Sequence, residues 1–116
     1  MKIRLAFGLA ALLITCTATR SFAQTLTSDQ PDYAPGTMAT LTGAGFAPGE
    51  SVVVVVHHAD ATPDSGADHE PWTVLADDAG GFVTTWHVCE DDCVGKELRA
   101  TADGQASGLH AEALFT

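Results

Sequence analysis

The 116-residue sequence contains no asparagine, and it has only five lysines and arginines against fifteen aspartates and glutamates. Without asparagine there is no N-glycosylation sequon and no partner for the lysine–asparagine crosslinks that strengthen some surface sandwiches. The shortage of cations excludes more. Lys2, Arg4 and Arg20 lie in the first 23 residues, so a chain beginning at Gln24 carries a formal net charge of −13 instead of −10. A polypeptide this acidic repels phosphate backbones and anionic lipid, which argues against nucleic-acid binding by counterion release. No segment carries a sustained helical repeat. Beyond the N-terminus, the apolar run Val52 to Val56 is only five residues long and is followed by His57 and His58, far short of the roughly 20 residues of a membrane-crossing helix.

The N-terminus is different. Met1-Lys2-Ile3-Arg4 gives a positive start, Leu5 to Ile14 an apolar run, and Ser21-Phe22-Ala23 a small-x-small cleavage site before Gln24. That is the layout of a secretory signal peptide. Residues 1–23 are therefore expected to be removed, leaving one domain over 24–116 with no transmembrane segment, secreted, periplasmic or at the cell surface. The alternative is a lipoprotein attached through Cys16, although Thr15 stands where such signals carry Gly, Ala or Ser. A mature chain of this length has room for one modest core and little for a deep catalytic cleft.

Within 24–116 the apolar residues alternate with period two, and Gly, Pro and Asp mark the breaks. Strands are expected over 25–28, 37–43, 51–57, 72–76, 82–88, 97–102 and 108–115. Residues 51–57 are too uniformly apolar to show a wet face, which reads as a central strand covered on both sides. Residues 77–81, Asp-Asp-Ala-Gly-Gly, read as a hairpin connection between the strands on either side. Inward parity gives an expected core of Leu41, Val54, Val56, Val74, Phe82, Trp86, Leu98, Leu109 and Phe115. Seven short strands about ten residues apart predict an all-β, immunoglobulin-like antiparallel β-sandwich.

Several segments carry a resemblance as well. Ser28-Asp29-Gln30-Pro31-Asp32-Tyr33-Ala34-Pro35-Gly36, Leu41 to Glu50, Pro71-Trp72-Thr73-Val74, Asp78-Ala79-Gly80-Gly81-Phe82 and Thr84-Thr85-Trp86 resemble immunoglobulin-like modules of bacterial surface and secreted proteins. The resemblance covers nearly all of 24–116. It implies a sandwich fold and a stalk, spacer or adhesion role without catalysis.

Cys89-Glu90-Asp91-Asp92-Cys93 is the sharpest local feature. A close cysteine pair in an exported protein is normally oxidised. An extended chain would hold the two about 13 Å apart, against a limit of about 7 Å between bridged Cα atoms, so the segment must turn back on itself. So small a loop gains only about 2 kcal/mol, and the bridge is expected to shape a tip more than to hold the domain together. As a zinc site the pair would need two further ligands, for which His87 and either His57 or His58 are candidates. His57 and His58 point to opposite faces of a strand and cannot both chelate.

Acids cluster at Asp60, Asp64, Asp68 and Glu70, and again at Glu90, Asp91 and Asp92; oxygen-rich loops of this kind can hold calcium. Trp72, at the end of the acidic loop, is a candidate for stacking on a sugar ring. Catalysis finds little support, because Ser107-Gly108 lacks the elbow that exposes a serine nucleophile. His57, His69, His87 and His110 are expected at the surface. The function expected is that of a non-catalytic structural or adhesion-type module presenting loops on a rigid acidic scaffold, its partner another surface protein or a polysaccharide. The alternative is a carbohydrate- or calcium-binding module using residues 59–72. The final strand offers an edge for β-addition.

Overall fold

Seven segments whose apolar residues alternate must hide one face each, and they do so by stacking two sheets. The computed structural model describes residues 23–64, 66–90 and 93–116. The expected leader, apart from Ala23, lies outside the described residues, and so do Cys16, Asp91 and Asp92. The strands are β1 (Thr25–Ser28), β2 (Met38–Ala44), β3 (Ser51–His58), β4 (Trp72–Leu75), β5 (Phe82–His87), β6 (Leu98–Gly104) and β7 (His110–Phe115). They form two antiparallel sheets, one in the order β1-β2-β5 and the other β4-β3-β6-β7.

The core lies between the sheets. Leu41, Phe82 and Trp86 come from the first sheet and meet Val54, Val56, Leu98 and Phe115 from the second, all buried. Burying each such side chain is worth about 1.5–3 kcal/mol. Of the expected core, Val74 and Leu109 are only partly buried and pack at its margin. Gly43 faces Phe82 so closely that a Cβ there would stand 2.1 Å from the ring.

Two expectations need correction. β3 is central, but only Val52, Val54, Val56 and His58 are buried; Val53 and Val55 are half-exposed. A sheet in a two-layer sandwich is covered on one face only, and the outer valines sit beside Thr73, Thr101 and Asp103 on the neighbouring strands. The second correction concerns residues 77–81, which do not close a hairpin, since β4 and β5 belong to different sheets. Asp77 does form a tight turn, its carboxylate accepting the N–H groups of Ala79 and Gly81 at 2.9 Å. That turn then docks on the β2–β3 connection, where Phe46 N–H donates to Gly80 O at 3.1 Å and Gly49 N–H to Asp77 O at 3.1 Å. Gly80 has φ 83, and a Cβ there would lie 2.1 Å from Phe46 O. The crossing therefore depends on that glycine.

A buried carboxylate ties two further turns together. Glu50 accepts from Ala47 N–H at 2.7 Å, from Ala106 and Ser107 N–H at 2.9 Å, and from the Ser107 hydroxyl at 2.8 Å. Burial pushes its pKa up, but these hydrogen bonds outweigh that and hold it at about 2.

Candidate functional site

The densest collection of chemically competent side chains lies where β3 outruns β4. Strand β3 runs eight residues and β4 only four, with register partners from Ser51↔Leu75 to Val54↔Trp72. Beyond Val54, β3 backbone groups that point towards β4 have no strand to meet. The 59–71 loop folds back and supplies side chains in its place. His58 N–H donates to Asp64 Oδ1 at 3.0 Å, and His69 Nδ1 lies 2.8 Å from Val56 O. Both groups have the parity that a longer β4 would have served.

Strand alternation sends His57 out and His58 in; their side chains are 53% and 1% exposed. His57 Nδ1 meets Asp64 Oδ2 at 2.6 Å. A single 3-10 turn, Ala67–His69, then delivers the imidazole of His69 to the interior. Its ring lies 5.0 Å from that of His58 and 6.0 Å from Trp86, centroid to centroid. His69 Nε2 is 3.5 Å from Cys89 Sγ and 3.6 Å from Cys93 Sγ. Trp86 holds the turn in place by donating its indole N–H to Asp68 O.

Cys89 and Cys93 are disulfide-bonded, with Cα atoms 5.5 Å apart. Both are buried within the core cluster, so the bridge lines the interior and does not close an exposed tip. His69 also departs from expectation. It is only 6% exposed, because the β3 ladder needs a donor that an acidic loop has few residues to supply. His87 is half-buried and turns its Nδ1 to Asp68 Oδ2 at 3.0 Å. His110 is exposed, held between Glu112 and Asp103, whose carboxylates raise its pKa in that order.

Asp60, Asp64 and Asp68 each serve different partners. Asp60 accepts from the Thr62 hydroxyl at 2.7 Å and from Lys96 at 3.1 Å, and the Thr62 hydroxyl and N–H, with Lys96, hold its pKa well below the usual carboxylate range. Burial pushes the Asp64 pKa up, but the His58 N–H and the His57 ring outweigh it and lower it overall. Asp68 serves His87, while Glu70 and Glu90 are exposed. Among the described residues, the group whose ligand atoms converge is His58, His69 and Cys93, all buried and within 4.8 Å of one another. Trp72 is half-buried, and its indole N–H donates to Thr84 Oγ1 at 3.0 Å across the sandwich.

A second feature lies along the opposite side, where edge strands β1 and β7 run side by side. Gln24 Nε2 donates to His110 O at 2.8 Å at one end; at the other, Tyr33 N–H donates to Thr116 O at 2.7 Å and Thr116 N–H to Pro31 O at 3.0 Å. Between these straps is a groove of about 420 Å³, lined by residues 26–31 and by Ala113 and Leu114. Gly104 N–H donates to Leu109 O, and this parity turns the backbone groups of Glu112 and Leu114 away from β6.

The geometry defines an immunoglobulin-like module of two antiparallel sheets. The chain belongs to the macroglobulin-like domain family, whose family model matches residues 22–116. Among solved structures it is similar to macromomycin, at 20% identity and TM-score 0.63, over 81% of this chain and 98% of that one. A weaker likeness links it to a sporulation control protein from Bacillus subtilis, at 12% identity and TM-score 0.39, over 79% of this chain and 46% of that one. No curated protein matches the sequence. Family and fold together describe a structural module. Among the described residues, no helix is long and apolar enough to cross a membrane.

Proposed function

We propose that this chain is an exported, non-catalytic adhesion-type module that binds an extended segment of another surface protein along β7. The single observation carrying this reading is the outward parity of backbone groups in the middle of that strand, beside the groove it shares with β1. Glu112 and Leu114 turn backbone donors and acceptors outward beside the groove, the arrangement by which a sheet edge accepts an added strand. Leu114 is 53% exposed and would give the added strand an apolar contact. Export is supported by the signal-like N-terminus and by the oxidised cysteine pair. The excess of acids keeps the body soluble and sets it to meet basic partners.

Capture from intact cell envelopes, followed by crosslinking, tests the reading. Leu114→Pro deletes an outward donor while leaving the β6–β7 ladder paired, and is expected to abolish capture. Leu75→Pro does the same to β4 on the far edge and is expected to leave capture unchanged. If both variants capture alike, or if wild type retains only polysaccharide, strand addition at β7 is wrong.

A further inference from the structure

We propose that Cys89 and Cys93, once reduced to thiols, join His58 and His69 in a tetrahedral site for a zinc ion. Zinc bonds of about 2.3 Å to sulfur and 2.0–2.1 Å to nitrogen place tetrahedral S and N ligands about 3.5–3.6 Å apart. His69 Nε2 already stands 3.5 and 3.6 Å from the two sulfurs. A ring nitrogen of His58 lies with His69 and Cys93 inside 4.8 Å, and Cys89 adjoins this group through His69. Opening the bridge lets the sulfurs separate to about 3.8 Å, their spacing around a tetrahedral zinc. The Cα atoms, 5.5 Å apart, need no rearrangement for this beyond side-chain rotation.

The protons of both imidazoles are placed by their neighbours. Val56 O can only accept, so His69 carries its proton on Nδ1 and keeps a lone pair on Nε2. The single hydroxyl proton of Thr62 goes to Asp60 Oδ1 at 2.7 Å, so Thr62 Oγ1 accepts from His58 Nδ1 at 3.0 Å. His58 therefore also carries its lone pair on Nε2. A carbonyl, a hydroxyl and the Asp64 carboxylate, 3.4 Å from His58 Nδ1, are the kind of outer partners that fix metal-bound histidines. Two thiolates and two neutral imidazoles around a divalent ion sum to zero charge, which suits a buried place. Nitrogen and sulfur donors select zinc over calcium or magnesium. A cavity of about 330 Å³, lined in part by Tyr33, Pro35, Cys89, Cys93 and Lys96, gives small reagents a route to the sulfurs.

A dithiol reductant, or a trialkylphosphine with water in vitro, supplies two electrons and two protons to the disulfide, giving two thiols and the oxidised reductant. The ion then displaces both thiol protons. The site is thus open to metal only in the reduced protein and is closed by oxidation.

The test uses the full chain, reduced with phosphine under anaerobic conditions and titrated with cobalt(II) as probe. The expected result is one cobalt per chain, with a thiolate-to-cobalt charge-transfer band and the visible bands of a tetrahedral ion, both bleached by zinc. Two protons leave per zinc bound. His58→Ala and His69→Ala each weaken zinc binding by at least about 100-fold, whereas His57→Ala and His87→Ala change it little. Should the buried-histidine variants fail to fold, zinc protection of Cys89 and Cys93 from iodoacetamide in wild type decides instead. The proposal is overturned if folded, reduced wild type shows no charge-transfer band, if its thiols alkylate equally fast with zinc, or if folded His58 and His69 variants bind as wild type does.

Discussion

Replacing His69 by leucine tests what its polar contacts do for the fold. Leucine fills a similar volume beside Trp86 and the disulfide, so little cavity is added. The loss includes the Nδ1–H donor 2.8 Å from Val56 O, at a ladder position that β4 is too short to reach, together with contacts to Asp64 and the sulfurs. A buried carbonyl left without its donor costs about 1–3 kcal/mol. For a domain of this size each kcal/mol shifts Tm by about 4–8 °C, so the variant is expected to melt roughly 5–20 °C lower. His69→Gln keeps an N–H donor on a flexible stem and is expected to recover part of that loss. The assay is thermal unfolding at neutral pH without reductant, so that the bridge stays closed in every sample. A leucine variant melting within about 2 °C of wild type, or a glutamine variant no more stable than leucine, would refute the view that the side chain stands in for a missing strand.

The Glu50 carboxylate, held at about 2 against an ordinary 4.5, contributes stability that is full above the higher value and is lost as pH falls towards the lower. Acid melts of wild type should show this decline, and Glu50→Gln should flatten it; parallel profiles would count against the Glu50 staple. Ala61 sits at φ 66, where a side chain costs about 1–2 kcal/mol and glycine gives back about 0.5–1 kcal/mol in chain entropy. Ala61→Gly should therefore raise stability by up to about 1.5 kcal/mol in denaturant melts, and a fall would contradict the strain.

Period-two alternation made the strands legible because each two-layer sheet hides one face, and residues such as Leu41, Phe82 and Trp86 declare that face locally. The 77–81 connection was not legible in the same way. An Asp-Asp-Ala-Gly-Gly turn fits a hairpin and an inter-sheet crossing equally well, and only the docking of Gly80 under Phe46 selects the crossing. Burial of Cys89 and Cys93 likewise depends on where the loop after β3 comes to rest, which no local pattern encodes.

His69 departs furthest from expectation, because its burial follows from strand pairing that the local pattern does not encode. Composition places a histidine in an acidic loop at the surface, and that inference weighs the side chain alone. Counting backbone groups leads elsewhere. Strand β3 outruns β4, which leaves the far end of the longer strand without a strand to pair with on that side, and buried N–H and C=O groups must find partners. The intervening loop is the nearest source, and Asp64 and His69 are what it supplies. The same requirement that pulls His69 inward to serve Val56 leaves its other nitrogen facing the sulfurs. The convergence of imidazole and cysteine at this end of the sandwich is thus a consequence of unequal strand lengths, and lengthening β4 by two residues should release the histidine and disperse the cluster.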